Sequence, residues 1–380
     1  MEKEPPDKVV QFNTLPKDII FDIFSRIPLK KLTQLTIVCK KWRLNIHQNP
    51  EFRGFYHQKH RINPILLFTK QVQINENSST QFSSCYIDGT QVSQMLTNNF
   101  DQPLITNILT CNGILCLLSK THVFFYDPII KKLSKIPNSR YFNCTFSWAF
   151  GMFRKGFKLL HFYTIETFDN FHYCQMQEVM CEILTKPSFD SQKDWKFIGE
   201  SPYNDVLGRK NYAYVDGKFY WLIGEKKYNP NGIKIMSFDL GMEIFGMVSF
   251  PKTYSDRSVE CLELVEINDK LCLTDRLPWE SNMDVWMMMN ENEGFPNHWV
   301  KKYRIDLMGI DHHDVRILGH LPKIYGNDCE SECEGKILMK IGEQKFGFYE
   351  LKKKVYRDII SDINMKEWSL QLMLNRNTLF

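Results

Sequence analysis

A unit of short apolar strands recurs along residues 62–380, and this repeat constrains the fold more than any other feature of the chain. Each unit has a turn with Gly or Asp, an unbroken apolar strand, a loop, a second strand that ends near an acidic residue, and an outer strand. Such runs, separated by turn residues, are typical of all-β proteins, and an unbroken apolar run indicates a strand buried on both faces. The first strands of four units lie in Cys111–Leu118, Val215–Leu222, Ile267–Leu273 and Glu334–Ile341.

Four-stranded units arranged around a common centre form a β-propeller, which leaves only short, protected sheet edges. A blade takes roughly 40–50 residues, so residues 62–380 have room for about six to eight blades. Pro64–Phe68 fits a first strand, and the runs from Trp148 to Ile198 fit one further blade. Ile317–Pro322 is expected as a strand behind the third unit, the one that begins with Ile267–Leu273. A pair of β-sandwiches is the alternative, because strand order cannot be read from spacing.

Residues 15–50 follow a different, helical pattern. Pro16 suits the first position of a helix, Asp18 suits its first turn, and Pro28 ends it. Apolar positions recur at helical spacing in three successive short segments. They are Ile20, Ile23, Phe24 and Ile27, then Leu32, Leu35 and Cys39, then Val38, Trp42 and Ile46. Three helices this short have more apolar surface than they can cover among themselves. This fits a docking module, and it fits the helical corner of a larger core about equally well.

The charge of the chain is concentrated near its N-terminus. The net charge is +4, and residues 1–61 hold 12 Lys or Arg against 6 Asp or Glu. A basic module could steer towards an acidic partner surface, but solvation of exposed helix faces is the simpler explanation. Because no DNA-reading motif accompanies these residues, a nucleic-acid partner is not expected.

The remaining composition indicates the compartment. Residues 1–13 are charged and lack an apolar region, so we expect a disordered lead-in and not a signal peptide. The longest apolar runs, such as Ile114–Leu118, are too short to span a membrane. Eleven cysteines, an odd number without regular spacing, fit a reducing compartment better than a disulfide framework. The sequence therefore predicts a protein of the cytoplasm, the nucleus or both, with no membrane partner.

The N-terminal helices resemble an F-box. Leu-Pro, an Ile-rich helix, Ile-Pro, then Val-Cys-Lys-x-Trp at 38–42 and Asn-Pro-x-Phe at 49–52 follow the order of that family's pattern, with Phe24 where the family usually has Leu. The repeats resemble the plant F-box-associated domain, through Cys111–Cys116 with a following Tyr-Asp-Pro and through Val215–Trp221 with Ser237–Leu240. The two resemblances together cover nearly the whole chain.

The resemblance implies an α+β multidomain protein, with a small three-helix F-box at residues 14–54 followed by an all-β propeller at residues 62–380. The F-box would dock a Skp1-like protein and, through Skp1, cullin 1 of an SCF E3 ubiquitin ligase. The propeller would bind an unknown protein substrate for ubiquitination and degradation. The residues expected to contact Skp1 are Leu15, Pro16, Ile20, Ile23, Ile27, Pro28, Val38, Cys39 and Trp42.

A P-loop is the first candidate for chemistry and is not convincing. Gly151 and Gly156 have the required spacing, but Phe157 and Lys158 follow where Lys and then Ser or Thr are needed to reach phosphate and Mg²⁺. A strand turn explains the glycines better. No nucleophile elbow or dinucleotide fingerprint is present, so we expect a chain that is not an enzyme and has no catalytic residue and no cofactor.

Histidines and cysteines crowd into residues 312–333 and could bind zinc. They are His312, His313, His320, Cys329 and Cys333. Their spacing fits no standard zinc motif, so a solvated acidic loop is the preferred interpretation and no metal is expected. Two other functions stay open from the sequence: an enzyme on a propeller scaffold, and a Skp1-bound binding module that acts without a cullin.

Overall fold

The computed structural model describes the chain in segments separated by gaps. The described residues are 16–27, 32, 34–35, 37–44, 46, 52, 65–74, 77–88, 91–100, 105–111, 114–127, 132–153, 156–169, 174–186, 194–202, 212–223, 233–251, 261–276, 280–289, 298–308, 310, 315–321, 336–342, 345–358 and 369–373.

Two helices are present among the described residues of the N-terminal region, α1 (Lys17–Ser25) and α2 (Lys40–Arg43). The third predicted helix stays a prediction, since its segment is only partly described. Pro16 does not occupy the first helical position but caps α1, and its carbonyl accepts the N–H of Ile20 at 3.1 Å. Its fixed φ still favours the turn into the helix.

The β domain contributes twenty-four strands within the described segments, and all their pairings are antiparallel. They are β1 (Ile65–Ile74), β2 (Asn77–Asp88), β3 (Gln91–Phe100), β4 (Ile105–Cys111), β5 (Ile114–Ser119), β6 (Val123–Asp127), β7 (Lys132–Ile136), β8 (Thr145–Phe153), β9 (Gly156–Asp169), β10 (Cys174–Lys186), β11 (Lys196–Glu200), β12 (Ala213–Val215), β13 (Lys218–Ile223), β14 (Lys234–Asp239), β15 (Ile244–Val248), β16 (Leu262–Ile267), β17 (Lys270–Asp275), β18 (Asn282–Met289), β19 (His298–Asp306), β20 (Val315–Leu321), β21 (Lys336–Ile341), β22 (Lys345–Glu350), β23 (Val355–Asp358) and β24 (Ser369–Met373).

These strands form four-stranded sheets. Five sheets use consecutive strands: β4–β7, β8–β11, β12–β15, β16–β19 and β20–β23. A composite sheet has the order β24-β1-β2-β3. The expected count of about six to eight blades is therefore corrected to five blades of consecutive strands and one composite sheet. The count is lower because the long strands and loops use more residues per sheet than the roughly 40–50 of a typical blade.

One strand belongs to a different sheet from the one predicted. Ile317–Pro322 was expected behind the third unit, but β20 pairs with β21, with Ile317 opposite Met339. It therefore opens the next sheet. The reason is that β16–β19 already complete a four-stranded sheet without it.

One edge strand of each sheet faces a common centre. Contacts join β24 to β4, β4 to β8, β12 to β16, and β16 to β20. This arrangement is a propeller and excludes the pair of β-sandwiches. The composite sheet brings together the two ends of the domain, because β24 pairs with β1 and Met373 lies opposite Ile65.

The seam between the sheets β8–β11 and β12–β15 is packed by aromatic residues. The Tyr212 hydroxyl donates to the carbonyl of Phe150 at 3.1 Å and accepts the N–H of the same residue at 2.9 Å. Gly151 lies inside β8, where an added Cβ would come within 2.7 Å of the ring of Phe219. Gly151 is therefore required for close packing of two sheets, and it is neither a turn residue nor part of a phosphate loop.

A fully buried histidine lies inside the sheet β8–β11. His161 Nδ1 is 2.8 Å from Oε1 of buried Glu182, and its Nε2 is 2.9 Å from Oγ1 of Thr145. Its ring stacks on Trp148 with centroids 4.0 Å apart. Burial lowers the pKa of His161, and the neighbouring Glu182 opposes this shift without reversing it. The buried imidazole is therefore favoured in its neutral form.

This histidine should make stability depend on pH. Because the pKa of His161 is lower in the folded chain than its ordinary value of about 6.5, the unfolded chain takes up the proton first as the pH falls. The free energy of unfolding should then decrease below about pH 6.5, by at most about 1.4 kcal/mol per pH unit from this group. Chemical denaturation at several pH values, of the natural chain and of His161→Gln, measures the difference.

In His161→Gln the free energy of unfolding should decrease less steeply as the pH falls, because the contribution of the histidine is absent. His122→Gln is the matched control, because His122 is only half-buried and lies in the connection between β5 and β6. Equal slopes for His161→Gln and the natural chain between pH 7.5 and 5.5 would contradict the assignment.

Candidate functional site

Helix α1 faces a small apolar core on one side. Ile20, Phe21 and Phe24 are buried there, together with Leu32, Ile46 and Phe52. The Phe24 ring meets the edge of Trp42 with centroids 5.1 Å apart and Phe52 with centroids 6.0 Å apart. The phenylalanine at position 24, which departs from the family's usual leucine, is thus the centre of this core.

The same helix presents apolar side chains to solvent. Ile19 is 47% exposed, and Ile23, one turn further along, is 37% exposed. Residues four positions apart lie on one face of a helix, so the two form a single apolar strip. The apolar face of α1 is therefore wider than the core it covers.

The segment before and after α2 adds to this exposed surface. Ile37 is 81% exposed, Val38 is 58% exposed, and Leu44 is exposed as well. Isolated exposed apolar residues are ordinary, but five of them within residues 19–44 are not. We call Ile19, Ile23, Ile37, Val38 and Leu44 the exposed apolar surface.

Cys39 organises the entry into α2. Its backbone is extended, and its sulfur accepts the N–H of Trp42 at 3.4 Å, which caps the helix. Sulfur is a weak acceptor, so this contact mainly fixes where the helix begins. The spacing Cys-Lys-x-Trp thereby holds Trp42 against Phe24 and leaves Val38 on the outside.

Basic residues lie close in the chain to the exposed apolar surface. Lys17, Lys40, Lys41 and Arg43 are all exposed. The ion pair between Arg26 and Asp22, at 2.7 Å, is solvent-exposed and contributes little to stability. Among the described residues 16–46, five Lys or Arg stand against Asp18 and Asp22, a balance that would favour approach by an acidic protein surface.

The structure divides the nine predicted docking residues into groups. Pro16, Ile23, Val38 and Cys39 are exposed, whereas Ile27 and Trp42 are partly buried. Ile20 is buried in the helical core and does not form surface, because it lies on the side of α1 that packs with Phe24 into that core. Leu15 and Pro28 lie outside the described residues.

Sequence reasoning missed three members of the exposed apolar surface, Ile19, Ile37 and Leu44. Ile19 could have been found, since it lies four residues before Ile23. Nothing in the spacing distinguishes Ile37 or Leu44 from core residues.

The described segments offer no candidate metal centre. These residues contain no group of three or more His, Cys, Asp or Glu that could hold a metal ion. Of the suggested zinc ligands, His320 is described only as part of strand β20, and His312, His313, Cys329 and Cys333 lie outside the described residues. None of the described helices is long and apolar enough to cross a membrane.

Two protein families match the chain. The F-box associated beta propeller domain family matches residues 65–345, and the F-box-like family matches residues 12–52. Together the matches span the helical region and most of the β domain.

Individual relatives give the same picture. The F-box protein At3g07870 of Arabidopsis thaliana is 24% identical over 316 residues, which covers 77% of this chain and 72% of that protein. The F-box/kelch-repeat protein At3g17530 of the same plant is 22% identical, covering 76% of this chain and 75% of its own. Among solved structures, that of YjhT aligns with a TM-score of 0.34 and 11% identity, over 80% of this chain and 96% of that one.

Proposed function

Because the chain belongs to the plant F-box proteins that carry an F-box associated β-propeller domain, we propose that it is the substrate adaptor of an SCF E3 ubiquitin ligase. In this role an F-box at residues 14–54 docks a Skp1-like protein. A propeller at residues 62–380 binds a protein substrate for ubiquitination and degradation. Cullin 1 joins through Skp1.

The exposed apolar surface is the observation that supports docking. Full burial of an Ile, Val or Leu side chain is worth about 1.5–3 kcal/mol, and this surface offers five partly exposed ones. Binding energy concentrates in a few buried anchors, and we assign Ile23 and Val38 as the central ones. Ile20 and Trp42 contribute indirectly, by holding α1 and α2 together.

The adaptor performs no chemistry in this proposal. It brings a substrate close to the transferring enzyme, so its contribution is proximity and orientation. Cys39, Cys116, Cys144, Cys181 and Cys272 carry free thiols, which fits the reducing location, such as the cytoplasm or the nucleus, that the sequence predicts.

Reconstitution of the complex tests the proposal. The chain is co-expressed with a plant Skp1-like protein and cullin 1, and the expected result is a three-component complex in gel filtration. Retention of the Skp1-like protein without cullin would favour the cullin-independent module. If the chain retains neither the Skp1-like protein nor cullin 1, the docking assignment is wrong.

A further inference from the structure

Strands β9 and β10 are longer than the sheet that contains them. They pair over thirteen residues, from Phe157 opposite Lys186 to Asp169 opposite Cys174. Strand β8 pairs with β9 only as far as Tyr163, and β11 pairs with β10 only from Met180. Six residue pairs therefore continue beyond the sheet as a two-stranded ribbon. At about 3.4 Å per residue this ribbon is roughly 20 Å long.

The ribbon, formed by Thr164–Asp169 and Cys174–Val179, offers sheet edges without a strand beside them in the described pairings. One contact reaches its base, where the carbonyl of Val179 accepts the N–H of Ser201 at 2.7 Å. Natural edge strands are usually protected by Lys, Pro or a bulge. Residues 164–179 contain no Lys, Arg or Pro, and the pairing of β9 with β10 shows no shift of register.

The charge of the ribbon selects its partner. Residues 164–179 carry three acidic side chains, Glu166, Asp169 and Glu178. Two copies of the ribbon would repel each other, since like charges on adjacent strands are destabilising. An extended segment with Lys or Arg would gain both backbone hydrogen bonds and charge pairing. The charge thus disfavours self-association and favours a basic partner strand.

The position of the ribbon suits a substrate. The blades repeat around one axis, so equivalent strand ends lie on the same face of the propeller. The chain enters β1 at Ile65, which lies at the end of that strand remote from the β1–β2 connection. In the order of strands within a sheet, β9 and β10 correspond to β1 and β2, so the ribbon lies at the same end of its sheet as the β1–β2 connection. It therefore projects from the face opposite to the point where the F-box segment joins the propeller.

From these observations we propose that the β9–β10 ribbon binds a basic, extended segment of the protein substrate by strand addition. This inference rests on the proposed function, because it identifies how the propeller would hold its substrate.

The test uses the full chain in complex with the Skp1-like protein, and synthetic peptides as probes. One peptide alternates Thr and Lys, a second alternates Thr and Glu, and a third is the Thr-Lys peptide with alternate backbone amides methylated. The Thr-Lys peptide should bind at least about tenfold more tightly than either of the others, as measured by fluorescence polarisation. Equal binding of all three, or of none, overturns the proposal.

Two hairpin variants localise the effect. In the first, an Asn-Gly turn replaces residues 166–177, so that Ile165 and Glu178 close a short hairpin. In the matched control, the same turn replaces residues 73–78 between Val72 and Ser79 of the β1–β2 hairpin. The first variant should lose binding of the Thr-Lys peptide and the control should keep it. The opposite pattern, or unchanged binding in both, overturns the assignment.

A charge-reversed variant covers the case in which the shortened hairpin fails to fold. Glu166→Lys/Asp169→Lys/Glu178→Lys should prefer the Thr-Glu peptide, and a retained preference for Thr-Lys contradicts the proposal. Co-purification of the Skp1-like protein is measured for every variant. If a variant retains the Skp1-like protein but loses peptide binding, the defect lies in the ribbon alone. If the natural chain fails to co-purify the Skp1-like protein, the proposed function is wrong.

Discussion

Replacing Ile23 and Val38 by glutamate is expected to abolish co-purification of the Skp1-like protein while leaving the fold intact. Both side chains are exposed, so the free protein loses little packing. In the complex each carboxylate would be taken out of water against apolar surface, which costs several kcal/mol per charge. The double variant Ile23→Glu/Val38→Glu should therefore weaken binding by more than about a hundredfold.

The control for this variant is Leu133→Glu on strand β7. Leu133 is 37% exposed, the same as Ile23, but it belongs to the propeller. Titration by isothermal calorimetry should give an unchanged affinity for this control. If Ile23→Glu/Val38→Glu also binds the Skp1-like protein normally, the exposed apolar surface is not the docking site.

Truncation of Phe24 to alanine is expected to unfold the helical region. Phe24 is 1% exposed and contacts both Trp42 and Phe52. Removal of a buried phenylalanine costs about 3–5 kcal/mol, which is comparable to the whole stability of so small a core. The amides of α1 should then exchange with deuterium on the order of a hundredfold faster, while those of the propeller sheets keep their protection.

Ile23→Ala is the matched variant on the same helix, one residue away and exposed. It should change amide exchange in α1 by much less, because it leaves no cavity. Similar exchange in Phe24→Ala and the natural chain would show that this core is not what holds the helices together.

Much of the β domain could be read from the sequence. Unbroken apolar runs such as Ile114–Leu118 and Phe219–Leu222 are buried central strands, as their pattern predicts. Turn residues with positive φ, including Asp216 and Asn268, lie where the repeat requires tight turns. These features are local, and local patterns determine them.

Features set by distant contacts could not be predicted. Strand β1 pairs with β24 on one side, and no local pattern indicates that pairing. Gly151 resembled a loop glycine because the ring of Phe219, which requires its small size, lies 68 positions further along the chain. At the candidate docking surface, periodicity located the apolar stripe of α1 but could not tell Ile20, which faces the core, from Ile23, which faces solvent.

The pairing of β24 with β1 has a consequence for biosynthesis. A ribosome adds about 5–20 residues per second, so β1 waits tens of seconds before its last neighbour has been translated. The described members of the helical core all lie within residues 20–52, so this core can form long before then. The nascent chain could thus bind its Skp1-like partner while the propeller is still an open ring. It would be able to bind a substrate only after β24 has been made and has closed the ring.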